Sequence, residues 1–309
     1  MHYPRETQTG MKEHERGKRQ RSLLSRVILL VFKIGLGVVI GFGILIYFLQ
    51  DSMIYLGVPY EPGEVDENVS KFQVVRLPFE SDQGRQEAYW LVRGQAIDDV
   101  PPIPDRVWLV FGGNAAQALG WGDFFALYRG SPAGFLLMDY PGYGACEGKP
   151  SPATILDSTQ RAVTSLCQHL SCSEEQLRPR LAVFGQSLGA AAGLQAATYY
   201  KISRVVLISP FTRMLDMARR TAGPLHCHLL RHRWDNVARL EEMEQFAPPP
   251  HVSIIHGTED EIVPVEMGRE LGERFRKFVD FTELPGLGHN DITYSASEEI
   301  LDAIALPTK

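Results

Sequence analysis

The feature that most constrains this chain is a serine flanked two residues away on each side by glycine, in the sequence GQSLG at residues 185–189. A β-rich run, residues 181–184, precedes it, and a run of small helix-forming residues follows. A strand that turns at once into a helix strains the serine backbone, and only small residues at Gly185 and Gly189 leave room for the reversal. The pattern predicts a sharp turn that presents the Ser187 hydroxyl at a helix N-terminus, although a glycine-rich turn with an incidental serine is the simpler alternative.

Strand-like and helix-like runs alternate from residue 65 onward. Several strand-like runs are short, continuous and rich in Val, Leu and Ile, as expected of parallel strands buried on both faces. Helix-length segments such as 153–169 and 188–200 lie between them. The chain therefore predicts an α/β fold, an eight-stranded mostly parallel sheet with helices on both faces. Residues 211–247 contain no strand-like run and predict a small helical cap. The predicted strands are residues 72–77, 88–92, 107–111, 135–140, 181–184, 205–208, 252–256 and 279–284.

Two later loops supply the other groups that a serine nucleophile requires. Such a hydroxyl needs a base, and the base needs a carboxylate to orient it. Asp260 follows the strand at 252–256, and His289 follows the strand at 279–284. The carboxyl ends of parallel strands meet at one edge of the sheet, and the order Ser, Asp, His fits this placement. We predict a catalytic triad of Ser187, Asp260 and His289.

Neighbouring residues offer alternatives for the acid and the base. Glu259 and Glu261 flank Asp260 and could replace it as the carboxylate. His256 ends a predicted strand and is expected to pack or to cap a loop. For His289 the alternative is an ordinary surface-loop histidine.

An oxyanion hole requires two backbone N–H groups directed at the developing negative charge. The first is predicted at Leu188, the residue after the nucleophile. The second is expected in the loop after the third strand, where Gly112 and Gly113 let the backbone approach a substrate. Asn114 is the predicted donor there, with Ala115 second.

The first 64 residues form a separate region. Residues 1–26 are polar and basic, and residues 27–49 are apolar apart from Lys33. Twenty-three helical residues span roughly 35 Å, enough to cross the hydrocarbon core of a bilayer. The sequence predicts a basic cytoplasmic tail at 1–26, a transmembrane helix at 27–49, a linker at 50–64 and a catalytic domain at 65–309.

The basic flank also predicts the topology of this anchor. Positive charge on the N-terminal side places the N-terminus in the cytoplasm and the catalytic domain on the other side, in the periplasm if the source is bacterial. A cleaved signal peptide is an alternative, but its apolar region is usually only about 7 to 15 residues long. A buried core helix is a second alternative, although core helices rarely remain apolar all round for so long.

Charge and composition argue against several other functions. The net charge is -6 and the pI is about 5.9, so a nucleic-acid partner is not expected. The glycines near Gly142 lack the spacing of a dinucleotide loop, and no cofactor is predicted. No metal is predicted at the local group around His228 and His232, because a third ligand and the H-E-x-x-H pattern are missing.

The chain has four cysteines, too few for a disulfide-built scaffold. Cys167 and Cys172 are close enough in sequence to bridge in an oxidising compartment, and the sequence leaves that question open.

Several motifs together resemble the α/β-hydrolase superfamily. The sequence looks most like the membrane-anchored, lid-poor branch of that superfamily, which includes protein depalmitoylases. The resemblance implies an ester, thioester or amide substrate attacked through an acyl-enzyme. Two departures concern the pocket: residues 111–114 read FGGN where the family often has HGN, and Cys146 stands where serine is common. The matching stretches are residues 112–114, 139–144, 185–189, 209–211, 256–257 with 260–264, and 288–290.

These observations predict a membrane-anchored serine hydrolase of acyl esters or thioesters, with a small-molecule or lipidated acyl substrate. Lipid-like substrates are favoured because few residues separate the predicted membrane helix from the catalytic domain. A serine peptidase similar to prolyl oligopeptidases is one alternative. A catalytically inactive, membrane-anchored binding or scaffold protein is another.

Overall fold

A computed structural model describes residues 6–94 and 103–305 of the chain. It divides into two compact units, Met1–Gln50 and Asp51–Lys309. Residues 1–5 of the predicted basic tail lie outside the described residues, as do residues 95–102 and 306–309 of the predicted catalytic domain. The helices are α1 (Glu6–Ile54), α2 (Glu64–Phe72), α3 (Gly122–Phe125), α4 (Pro152–His169), α5 (Glu174–Leu177), α6 (Leu188–Tyr200), α7 (Met214–His226), α8 (Asn236–Met243), α9 (Val265–Arg274), α10 (Ile292–Ser295) and α11 (Ser297–Ala305).

The described residues of the first unit, 6–50, lie within α1, which is longer than the predicted span at 27–49. Lys, Arg, Gln and Glu are abundant in residues 6–26, and these residues are good helix formers. The helix therefore begins well before the apolar run. Within its segment Leu24–Ile54, a stretch of 18 residues reaches a mean hydropathy of 2.6, and the segment is long and apolar enough to cross a membrane.

The second unit is built on the eight-stranded sheet predicted from the sequence, which is confirmed. The strand order is β1-β2-β4-β3-β5-β6-β7-β8. β2 pairs antiparallel with β1 and with β4, whereas every pairing from β4 to β8 is parallel. The strands are β1 (Val75–Ser81), β2 (Gly84–Arg93), β3 (Arg106–Phe111), β4 (Ala133–Met138), β5 (Leu181–Gln186), β6 (Arg204–Ile208), β7 (His251–Gly257) and β8 (Val279–Leu284).

Helices cover both faces of the sheet, so the central strands are buried on both sides. Along β3, Leu109 and Phe111 belong to one buried cluster and Trp108 and Val110 to the other. This alternation follows from the two-residue period of a strand. One cluster includes buried side chains of α4, α6, α8 and α9, and the other includes those of α3, α10 and α11. Each face thus has its own apolar layer, as expected of a sheet covered on both sides.

Residues 211–247, predicted as a small helical cap, contain α7 and α8. α7 buries none of its residues. In contrast, α8 packs against α6, and its Val237 and Leu240 are fully buried in the core. Only α7 of this pair is therefore exposed enough to act as a cap.

Residues 50–64, predicted as a linker, are not a free connection. Tyr55 is 5% exposed and belongs to the core cluster of one face of the sheet. Pro59 forms an isolated parallel bridge with Gly144. The segment after α1 therefore packs onto the catalytic domain. This packing was not predicted from the sequence, because the partners lie far along the chain.

Candidate active site

Ser187 occupies a strained turn between β5 and α6. Its φ is 54° and its ψ is -115°, outside the regions that non-glycine residues ordinarily adopt. The Ser187 N–H donates to the Ile208 carbonyl at 2.9 Å, which fixes this backbone to the next strand. A Cβ atom at Gly185 would overlap the Gly189 carbonyl, and one at Gly189 would overlap the carbonyl of Phe111. The two glycines are therefore required for the close approach that the sequence pattern predicted.

Aromatic side chains pack around Phe184, in the strand that leads into this turn. The ring of Phe184, the third residue before Ser187, lies 5.0 Å from that of Trp121 and 5.9 Å from that of Phe124, measured between centroids. Burial of such large rings contributes strongly to core stability. The turn is thus built on a rigid apolar base, and Trp121 and Phe124 also form part of the cavity in front of it.

Asp260 lies in the loop after β7 with both carboxylate oxygens occupied. Its Oδ1 accepts hydrogen bonds from the N–H groups of Ile262 at 3.0 Å and Val263 at 2.7 Å. Its Oδ2 lies 2.7 Å from Nδ1 of His289. The structure therefore brings together the acid and the base that the sequence singled out. The flanking Glu259 and Glu261 are exposed.

The hydrogen bonds of Asp260 determine its charge. Burial by itself raises the pKa of this carboxyl, but hydrogen bonds from His256, His289 and Val263 more than offset the burial. The net effect is a pKa well below its ordinary value, so Asp260 is ionised near neutral pH. An ionised carboxylate accepts the Nδ1 proton of His289 and thereby leaves Nε2 free to accept another.

A second histidine, His256, also contacts the same carboxylate. It is fully buried, and its Nε2 lies 3.2 Å from Oδ2 of Asp260 and 2.9 Å from the carbonyl oxygen of Val263. Packing and loop capping were expected for this residue, and its bond to Val263 agrees with them. Its contact with Asp260 was not predicted. The only available signal was its position at the end of β7, four residues before Asp260.

Ser187 and His289 face a common cavity of about 460 Å³, a size typical of small-molecule sites. Within the described residues, the Ser187 hydroxyl makes no hydrogen bond to His289. Such bonds are often long in unliganded enzymes and tighten when substrate binds. Three exposed apolar side chains are found at this cavity: Leu56, Ile262 and Tyr294. The cavity is thus lined by a hydroxyl, an imidazole and apolar groups.

The two predicted oxyanion donors lie next to the serine. Leu188 is the first residue of α6, and the first N–H groups of a helix have no partner within it. A Cβ atom at Gly113 would lie 3.6 Å from the Gln186 carbonyl oxygen, so the loop that follows β3 passes close to the turn. Asn114 follows directly and also lines the cavity. The alternative donor, Ala115, has a φ of 63°, and its N–H is bonded to the Asn114 side chain at 3.1 Å.

None of the four cysteines lines this cavity. All four cysteines are free thiols, including Cys167 and Cys172. Cys146, at the position that departs from the family pattern, is buried and accepts a hydrogen bond from the N–H of Glu87. In the part of the chain that the structure describes, no group of three or more His, Cys, Asp or Glu side chains is arranged to hold a metal ion.

Comparison with known proteins defines the class. The sequence model of the alpha/beta hydrolase family matches residues 109–246. A human protein, alpha/beta hydrolase domain-containing protein 17B, is 29% identical over 186 residues, a match that covers 60% of each chain. The match thus spans less than two thirds of that relative. An uncharacterised Mycobacterium tuberculosis protein is 30% identical over 199 residues, 63% of this chain and 67% of its own length.

Solved structures share the fold. An alpha-beta hydrolase from Vibrio vulnificus has a TM-score of 0.58 at 15% identity, covering 77% of this chain and 84% of its own. An esterase from Pyrococcus furiosus has a TM-score of 0.54 at 15% identity, covering 81% and 94%. With the family match and the strand order, these similarities establish that the chain belongs to the α/β-hydrolase superfamily, as its motifs suggested.

Proposed function

We propose that this protein is a membrane-anchored serine hydrolase that cleaves an acyl ester or thioester through a triad of Ser187, His289 and Asp260. The observation that carries the proposal is the 2.7 Å contact between His289 and Asp260 at the edge of the cavity that Ser187 lines. An ionised carboxylate behind an imidazole, next to a serine on a strained turn, is the arrangement that acyl transfer requires.

The proposed reaction begins with attack of the Ser187 hydroxyl oxygen on the acyl carbonyl carbon. His289 accepts the hydroxyl proton at Nε2, while Asp260 holds the proton on Nδ1 and stabilises the imidazolium. The N–H groups of Leu188 and Asn114 donate to the resulting oxyanion. The tetrahedral intermediate then collapses, and His289 donates its proton to the departing alkoxide or thiolate, which leaves an acyl-enzyme.

Water completes the cycle. His289 removes a proton from a water molecule as that water attacks the acyl carbon, and Ser187 leaves with the proton returned by His289. The products are a free carboxylic acid and the alcohol or thiol released earlier. No metal or redox group takes part in this scheme.

The cavity favours an apolar acyl group. Trp121 and Phe124 form part of its lining, and the exposed side chains of Leu56, Ile262 and Tyr294 are also found at it. An acyl chain that enters would exchange water for these apolar surfaces, at about 25 cal/mol for each Å² removed from water. We therefore propose a lipid-like or acylated substrate.

Labelling with a fluorophosphonate tests the chemistry, because this probe reacts only with an activated serine. We expect labelling of the wild-type chain and of Ser131→Ala, an exposed control, and its loss in Ser187→Ala. Absence of Ser187-dependent labelling in folded protein would favour a binding or scaffold protein. Faster turnover of aminoacyl amides than of acyl esters would favour a peptidase.

Membrane anchoring is a separate part of the proposal and rests on Leu24–Ile54. The apolar side chains of this segment are largely exposed, and a membrane would cover them. We propose a single span with the N-terminus in the cytoplasm and the catalytic domain on the opposite side. The full chain should remain in membranes after carbonate extraction, and protease added outside intact cells or spheroplasts should cleave the domain. Release of a chain that begins after about residue 50 would instead indicate a cleaved signal peptide.

A further inference from the structure

The six residues that follow α1, Tyr55 to Tyr60, form a strap on the surface of the catalytic domain. Tyr55 is anchored in the core, where its hydroxyl accepts a hydrogen bond from Nε1 of Trp234 at 3.1 Å. At the other end, the Tyr60 hydroxyl accepts one from the N–H of Leu119 at 3.1 Å. The strap is therefore fixed at both ends.

Between these ends the strap lies against the turn at residues 142–144. The Val58 carbonyl accepts a hydrogen bond from the N–H of Gly144 at 3.0 Å. Gly57 passes so close that an added Cβ atom would overlap the Gly142 carbonyl oxygen. Only glycine at position 57 permits this contact.

The strap also contacts the loop that carries the proposed oxyanion donor. The N–H of Leu56 donates to Oδ1 of Asn114 at 2.6 Å, and Nε2 of Gln117 donates to the Pro59 carbonyl at 2.8 Å. Leu56 also lines the cavity that Ser187 and His289 face. The segment that leaves the predicted membrane helix thus reaches the active site itself.

The side chain of Asn114 is the centre of these contacts. Its Oδ1 accepts three hydrogen bonds, from Leu56, from the N–H of Ala115 at 3.1 Å and from the Tyr143 hydroxyl at 2.9 Å. These three donors come from the strap, from the loop itself and from the turn after β4. Together they hold the Asn114 side chain, and with it the loop that carries this residue.

We propose that the docked strap is a positioning element for the oxyanion hole, acting through the side chain of Asn114. This inference rests on the proposed function, because it assigns a catalytic role to the N–H of Asn114. Its physical basis is that an oxyanion donor acts only when it is held in place before the charge develops. Displacement of the strap removes one of the three bonds to Asn114 and lets the loop move. The catalytic step then slows, although the triad is unchanged.

A double-mutant cycle in the full chain tests the coupling. Gly57→Ala lifts the strap from the turn, and Asn114→Ala removes the acceptor that the strap uses. Loss of one oxyanion donor reduces kcat by about 10²–10³-fold, and a misplaced donor retains part of its effect. We expect each single variant to lower kcat on a short acyl ester about 10- to 100-fold, with KM changed less than about threefold. The double variant should stay within about threefold of Asn114→Ala.

The controls separate this role from general destabilisation. Gly41→Ala makes the same substitution in α1, where no atom lies near the added Cβ, and should behave as wild type. If Gly57→Ala does not fold, Tyr143→Phe provides a second test, since it deletes only one bond to Asn114 and should lower kcat about three- to tenfold. Its matched control is Tyr128→Phe, whose hydroxyl bonds to the Ser131 carbonyl away from the site.

Two outcomes would overturn the inference and leave the proposed function intact. One is a kcat for folded Gly57→Ala, or for Tyr143→Phe where it is the variant used, within twofold of wild type. The other is full additivity of Gly57→Ala and Asn114→Ala, which would show that the strap acts elsewhere. Failure of the proposed function is distinguished by a wild-type chain that is not labelled at Ser187.

Discussion

Asp260→Asn gives the sharpest test of the proposed triad, because the structure fixes which way the new amide must point. Oδ1 of Asp260 accepts two backbone N–H groups, from Ile262 and Val263. An amide nitrogen at that position would face two donors, so the amide oxygen must occupy it. The NH₂ group then replaces Oδ2 and faces His289 and His256.

This orientation reverses the tautomer of His289. With a donor opposite Nδ1, the imidazole carries its proton on Nε2 and cannot accept the proton of Ser187. His256 retains the Val263 carbonyl as an acceptor and need not change. Loss of the correct tautomer in a triad lowers kcat by about 10⁴-fold, and we expect that magnitude here. It corresponds to about 5.4 kcal/mol of transition-state stabilisation.

The assay is the turnover of a p-nitrophenyl acyl ester by the purified chain, together with its thermal unfolding. Asp291→Asn is a matched control, since Oδ1 of Asp291 accepts the N–H of Gly288 in the loop of His289 and an amide oxygen preserves this bond. We expect wild-type kcat from the control. A kcat for folded Asp260→Asn within tenfold of wild type would refute the assignment of Asp260 as the orienting acid.

Three further predictions concern stability. Gly189→Ala should lower the free energy of unfolding by at least about 1–3 kcal/mol, because its Cβ overlaps the Phe111 carbonyl, and an unchanged urea midpoint would contradict this. Burial raises the pKa of Asp139 to about 6, so the folded state binds this proton more tightly than the unfolded chain does. The free energy of unfolding should therefore fall at this residue as the pH rises from about 4 to 6. Urea unfolding at several pH values should show a smaller decrease in this free energy for Asp139→Asn than for wild type. An equal pH dependence in the two chains would refute the role of Asp139. His256→Phe removes a donor to the Asp260 carboxylate and should lower the free energy of unfolding, measured in urea, by about 1.5–3 kcal/mol. An unchanged free energy of unfolding would contradict a stabilising hydrogen bond between His256 and Asp260.

The sequence by itself determined the elements and their class. Continuous Val, Leu and Ile runs indicated buried parallel strands, and the two glycines around Ser187 indicated a sharp strand-to-helix turn. These features are local, because side-chain periodicity and the steric need for glycine act within a few residues. The order of Ser187, Asp260 and His289 along the chain was also readable, since parallel strands place their carboxyl ends at one edge.

Only the tertiary structure decided which side chains meet. His289 contacts Asp260 and not the flanking Glu259 or Glu261. The reason is the shape of the loop after β7, in which the N–H groups of Ile262 and Val263 bind the Asp260 carboxylate and orient it. The contact of His256 with the same carboxylate was likewise not predicted, because the position of His256 near the end of β7 does not show which way its ring turns.

The strap is the clearest case, because residues 50–64 read as a linker. Tyr55 packs beside Trp234, and Leu56 bonds to Asn114, at separations of 179 and 58 residues. A hydrogen bond of this kind depends on distance in space, and nothing in the local pattern records it. The sequence therefore determined the sheet and the turn, whereas the folded chain alone decided what borders the active site.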